Sequence, residues 1–97
     1  MQIQVRFFTI LREVTGKKEE YLVFPNEEKT TVTSALRKLS QAYGKPFDEY
    51  VYRPETGEVK SFLQFLINGN STSTLNGLET ELKDGDVLAI VPPVGGG

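Results

Sequence analysis

The stretch Thr31-Val32-Thr33-Ser34-Ala35-Leu36-Arg37-Lys38-Leu39-Ser40-Gln41-Ala42-Tyr43-Gly44 carries the clearest periodicity in the chain. Val32, Ala35, Leu36, Leu39, Ala42 and Tyr43 recur at three- and four-residue intervals as one apolar stripe, with Arg37, Lys38 and Gln41 on the other face. Thr31 can accept hydrogen bonds from the unpaired amides of the first turn, and Gly44 can close the last turn in a left-handed conformation. The spacing predicts a helix over 32–43. It is the chain's one long helical pattern, so its stripe must find a sheet to cover.

Strand patterns lie on both sides of it. Gln2 to Phe8 alternates, with Ile3, Val5 and Phe7 on one face and Gln2, Gln4, Arg6 and Phe8 on the other. Thr9 to Gly16 places Ile10, Leu11 and Val14 at turn-like spacing and ends on glycine, which suits a short helical turn before Glu20 to Phe24 returns as a second strand. After the helix, Tyr50 to Lys60 reads as a small surface hairpin turning at Pro54-Glu55-Thr56-Gly57. Ser61 to Ile67 reads as an apolar strand, with Leu63, Phe65 and Ile67 on one face, closed by the turn signal Asn68-Gly69-Asn70. Leu75, Leu78 and Leu82 are sparse anchors in a polar stretch; Lys83-Asp84-Gly85-Asp86 turns the chain, and Val87 to Val91 is the last strand. The order is strand, strand, helix, strand, strand, in one α+β domain.

Composition removes whole classes of chemistry. The 97 residues hold no cysteine and no histidine, so there is no thiolate, no disulfide, no imidazole base and no soft or borderline metal ligand. Neither GxxxxGK[ST] nor GxGxxG occurs, which argues against nucleotide binding by this chain alone. Glu19-Glu20, Glu27-Glu28 and Asp84 with Asp86 fall in loops or strand edges, where carboxylates are usually just solvated. A net charge of -2 supplies no field for nucleic acid or an anionic membrane. No apolar run is long enough to span a bilayer, and no basic segment precedes an apolar one at the start, so a cytoplasmic protein is expected.

What remains is the end of the chain. Val91 leads into Pro92-Pro93-Val94-Gly95-Gly96-Gly97. Glycines lack a Cβ and can lie in a channel too narrow for other residues. The six residues from Pro92 can reach about 20 Å when extended, far enough to enter a neighbouring protein. The competing reading is an ordinary frayed terminus. The sequence thus divides into a body over 1–91 and a tail over 92–97, with the Gly97 carboxylate as its candidate reactive group.

The segments FFTILREVTG (residues 7–16) and GLETELKDGDVLAIVPPVGGG (residues 77–97), together with the spacing between them, resemble the small subunit of molybdopterin synthase, the MoaD family. The likeness extends over nearly the whole chain and reaches towards the archaeal ubiquitin-like modifiers. Its most specific parts are Phe-Phe followed by Leu-Arg-Glu, the Leu-Lys-Asp-Gly-Asp turn, and Pro-Pro-Val-x-Gly-Gly, where x is Gly95. Two departures are a longer Tyr50 to Lys60 region and the third glycine.

The resemblance implies a β-grasp, or ubiquitin-like, fold with the first and last strands parallel at the centre of a mixed sheet. It implies a sulfur carrier, with no active site of its own. The Gly97 carboxylate would be adenylated by a MoeB-like, ubiquitin-activating-like partner using ATP and Mg. A sulfur donor would convert it to a thiocarboxylate, and that sulfur would pass to a pterin precursor in a MoaE-like large subunit. Gly95, Gly96 and Val94 would thread the tail, with Pro92 and Pro93 stiffening its exit. Val91 matches a family partner contact. Phe8, outward by alternation, is a candidate anchor beside it; burial under the Leu11 to Val14 turn is the competing reading. Arg12-Glu13 reads as a local surface pair.

Two other functions fit the same residues. One is a modifier joined through Gly97 to lysines of target proteins. The other is a β-grasp binding module with an incidental tail, which would survive loss of Gly96 and Gly97. The thiamin carriers are typically shorter and lack the Pro-Pro-Val approach.

Overall fold

A computed structural model describes residues 1–92. Strand β1 (Gln2–Phe7) buries Ile3, Val5 and Phe7 and turns Gln2 and Arg6 to solvent, the alternation expected of a strand with one covered face. Helix α1 (Ile10–Thr15) follows, closed by Gly16 in the left-handed conformation at φ 74°, and β2 (Glu19–Val23) returns antiparallel with Ile3 opposite Leu22. The first two strands therefore make a wide hairpin with a helix in its loop.

Helix α2 (Val32–Tyr43) starts on a reciprocal cap: the Ser34 amide donates to the Thr31 hydroxyl, and the Thr31 amide donates to the Ser34 hydroxyl. Val32, Ala35, Leu36 and Leu39 are buried and Tyr43 packs at the margin of the core. Ala42, expected on this stripe, is exposed. At 100° per residue it lies roughly 80° from the centre of the stripe, too far to reach the sheet. Gly44 has a positive φ of 69°, but its ψ of -143° is not left-handed helical. It redirects the chain straight into another helix.

That helix, α3 (Lys45–Val51), replaces the expected hairpin limb. Pro46 sits in its first turn, where the missing amide costs nothing, and Phe47 and Val51 are spaced four apart and fully buried. The segment is thus part of the core. Only the far part of the hairpin is present, as an isolated bridge between Tyr52 and Val59 around the Pro54 to Gly57 turn.

Strand β3 (Gln64–Ile67) is shorter than the alternation suggests, because the Leu63 amide bonds the Lys60 carbonyl and keeps Ser61 and Phe62 in a turn. Asn68 and Gly69, both with positive φ, make the two-residue connection to β4 (Asn70–Ser71). Two short 3-10 turns follow. Leu78 packs on the core and Leu82 is buried, whereas Leu75, read as an anchor, is 52% exposed.

Strand β5 (Val87–Val91) inserts between β1 and β3, parallel to the first and antiparallel to the second, in the order β2-β1-β5-β3-β4. This is the β-grasp arrangement. Leu88 and Ile90 point into the core, fully buried, and Val87, Ala89 and Val91 face outward, half-buried. Val91 and Pro92 consequently leave the body from the middle of the sheet.

Candidate functional site

The register fixes what surrounds that exit. Phe7 lies opposite Ile90 on the parallel side, so Phe8 is the next residue along beside Val91; on the antiparallel side Gln64 is opposite Val91. The open face of the sheet near the exit carries half-buried Ala89, Val91 and Leu66, with exposed Arg6 and Gln64 at its margins.

Phe8 satisfies neither sequence reading fully. β1 ends at Phe7, and Thr9 takes φ 46°, outside the usual conformations of a side-chain-bearing residue, at a cost of about 1–3 kcal/mol. This sharp break carries the chain into α1 and leaves Phe8 half-buried at the rim. Its ring is covered by Arg12, whose guanidinium carbon lies 5.5 Å from the ring centroid. The Arg12 Nε donates to the Phe7 carbonyl at 3.0 Å, which fixes the cation over the ring. Arg12 is therefore not paired with Glu13; it is part of the Phe8 platform.

Behind the platform Tyr43 packs edge-on against Phe7, with ring centroids 6.4 Å apart, and its hydroxyl donates to Glu20. Lys17 bonds the same carboxylate at 3.0 Å. The hydrogen bond to Glu20 foremost, with Tyr43 adding, raises the Lys17 ammonium above its usual range, and burial first, then Glu20, pushes the Tyr43 phenol up. Elsewhere, burial and then the Asp48 charge push the Tyr52 phenol up, with Arg37 opposing.

Several acids expected to be merely solvated have structural partners. Glu20 is half-buried in the cluster just described. Asp84 accepts from the Gln2 amide at 2.8 Å, and Asp86 accepts from the Lys83 amide at 2.8 Å and from the Asn68 side chain at 3.0 Å. Among the described residues no group of acids has the arrangement of a metal site, and no helix is long and apolar enough to cross a membrane.

Of the sequence-predicted site residues, Phe8, Val91 and Pro92 come together at the exit. Pro93, Val94, Gly95, Gly96 and Gly97 lie outside the described residues. Sequence reasoning missed the cation on Phe8 and, on the β3 side, an aromatic pair of Tyr50 and Phe62, with centroids 6.3 Å apart. A signal for the second was present: the alternation that buries Leu63, Phe65 and Ile67 sends Phe62, Gln64 and Leu66 the other way.

A β-grasp body whose central strand delivers a glycine-ended tail defines a ubiquitin-like protein. Comparison with known proteins narrows this: the ThiS family matches residues 5–97, and the chain belongs to it. That places it in the general class of ubiquitin-like sulfur carriers and small modifiers. It is 37% identical to small archaeal modifier protein 3 of Haloferax volcanii over all of both chains. The crystal structure of the modifier SAMP1, also from Haloferax volcanii, superposes with a TM-score of 0.83 at 28% identity, again over all of both chains. A structure from Pyrococcus furiosus, provisionally named molybdopterin converting factor, subunit 1, has a TM-score of 0.73 at 27% identity and covers 96% of this chain and 98% of that one.

Proposed function

We propose that the protein carries sulfur on its own C-terminus, as the small subunit of a molybdopterin synthase. The Gly97 carboxylate attacks the α-phosphorus of ATP held by an adenylating partner, pyrophosphate leaves, and an acyl-adenylate forms. A carboxylate is a poor electrophile until its oxygen becomes part of a good leaving group, and here AMP is that group. Hydrosulfide from the sulfur donor then attacks the carbonyl carbon and AMP departs; the thiocarboxylate sulfur forms a bond to a pterin precursor in a MoaE-like large subunit, and water cleaves the acyl–sulfur bond, leaving the sulfur on the pterin and restoring the Gly97 carboxylate. ATP, Mg and the sulfur donor come with the partners. This chain contributes the carboxylate, the tail over 92–97 that threads a channel through Gly95 and Gly96, and the docking contacts Phe8 and Val91. The protein works in the cytoplasm, where its partners are.

The observation that supports this reading most is the juxtaposition at the exit: the central strand releases Val91 and Pro92 beside a half-buried, cation-covered Phe8, in a sequence that continues Pro-Val-Gly-Gly-Gly. Intact-mass analysis after incubation with the adenylating enzyme, ATP and a sulfur donor should reveal one oxygen-to-sulfur exchange, localised to Gly97. An unchanged mass with an active enzyme would sink the reading.

A second reading is favoured by the full-length likeness to small archaeal modifier protein 3. In it the same acyl-adenylate is attacked by lysine amines of target proteins, leaving an isopeptide bond to Gly97. Peptide mass spectrometry of tryptic digests of cell extracts separates the two, since only the modifier leaves the segment after Lys83, residues 84–97, on target lysines.

A further inference from the structure

The β3 side of the exit repeats the chemistry of the β1 side with different residues. Phe62 stands in the turn two positions before Gln64, the residue opposite Val91, so it lies at the end of the sheet where β5 finishes and β1 gives way to Phe8. Two strand spacings separate β1 from β3, roughly 10 Å. Phe62 is 44% exposed, yet its ring is held: Tyr50 of α3 meets it edge-on at 6.3 Å, and Lys60 Nζ lies 5.9 Å from its centroid. Lys60 is itself fixed by donating to the Glu49 carbonyl at 2.7 Å. Arg12 over Phe8 is built alike, with the cation tied by a main-chain carbonyl and laid on a ring. Two aromatic rings, each carrying a held positive charge, thus stand at the end of the sheet where β5 finishes, one after β1 and one before β3.

Phe62 is not part of the core, to which its neighbours Leu63 and Phe65 belong; its ring is held at the surface on a support of its own. A rigid ring with a fixed cation suits a partner that is apolar at its centre and carries carboxylates or carbonyls at its rim. We infer that Phe62, supported by Tyr50 and Lys60, is a second docking contact, gripped by the adenylating enzyme while Gly97 occupies its nucleotide site. The adenylating enzyme is the partner chosen because both the sulfur-carrier and the modifier readings require adenylation first. The inference rests on the proposal that Gly97 is adenylated, and it gives a role to the Tyr50 to Lys60 segment: α3 and the following turn are the frame that holds Phe62 and Lys60 in place.

The test is ATP–pyrophosphate exchange by the adenylating enzyme of the same organism, measured against the concentration of full-length carrier. Phe62→Ala should raise the KM for the carrier roughly five- to tenfold with kcat little changed, the loss expected of a truncated interface anchor. Lys60→Glu should do the same, with the defect shrinking as salt is added. A merely structural role would lower the folding midpoint and leave the KM of the folded fraction untouched. Lys60→Glu leaves the Phe62 and Tyr50 rings in place and decides the matter if Phe62→Ala folds poorly. Wild-type KM in both folded variants overturns the second contact while leaving adenylation standing. No exchange with the wild-type chain overturns both.

Discussion

The two ends of β5 are built from opposite materials. At its upstream end nearly every group is hydrogen-bonded: Asp86 holds the Lys83 amide and the Asn68 side chain, Asn68 exchanges bonds with the Val87 main chain, and Asp84 and Gly85 clamp Gln2. At the downstream end stand half-buried Phe8 and exposed Phe62, each with a cation near its ring, and the polar bonds there serve to hold those cations. Directional bonds set the register of the strand at one end, and held but accessible rings are kept at the other. Under the proposed function, stability and recognition fall at different ends of five residues, and mutations at each end should separate them.

The largest expected effect is functional: deleting Gly96 and Gly97 should abolish adenylation and leave the urea midpoint unchanged, since the register of β5 is set upstream. Next, Leu88→Ala, in the fully buried centre of the strand, should cost about 2–5 kcal/mol in chemical denaturation. Asp86→Ala should cost about 1–3 kcal/mol, because it leaves donors at the upstream turn unpaired; partner affinity in the remaining folded protein should be unaltered. Phe8→Ala reverses the pattern, with less than about 1 kcal/mol from the lost cation–ring contact but a several-fold weaker partner complex by calorimetry. A large stability loss from Phe8→Ala, or an affinity loss from Asp86→Ala, would erase the division between the ends.

The smallest effect concerns pH. The Tyr43 phenol and the Lys17 ammonium both have folded values raised above their ordinary ones. For both, the folded state holds its proton more tightly than the unfolded chain. Their contribution is complete at neutral pH and is lost as pH rises from about 10 through the folded values. Tyr43→Phe should therefore show a shallower loss of stability in alkali, measured by denaturant titration across that range.

Local pattern made α2, β1 and β5 legible because each has a single consistent period and a clear cap or turn. Residues 45–60 did not, for a physical reason. Phe47 and Val51 are four apart, which fits one face of either a helix or a strand, and Tyr50-Val51-Tyr52 adds an aromatic, β-branched look. Pro46 in the first turn was the deciding sign, and the buried face of α3 is defined only by contact with the rest of the core. The order of strands followed from one long helix between strand pairs together with family likeness, whereas the cations on Phe8 and Phe62 depend on main-chain carbonyls whose placement no local pattern encodes. The reading of the tail, by contrast, rests on the glycine run, on family likeness and on a composition without thiol or imidazole, and its last five residues lie outside the described structure.

The parallel pairing of β1 with β5 has a consequence for synthesis. β1 leaves the ribosome well before β5, and until Val87 to Val91 emerges there is nothing to seat between β1 and β3. A truncated translation product lacks the middle of its sheet and stays open to proteolysis. A chain whose sheet has closed has therefore been translated through Val91, the residue that leads into the tail.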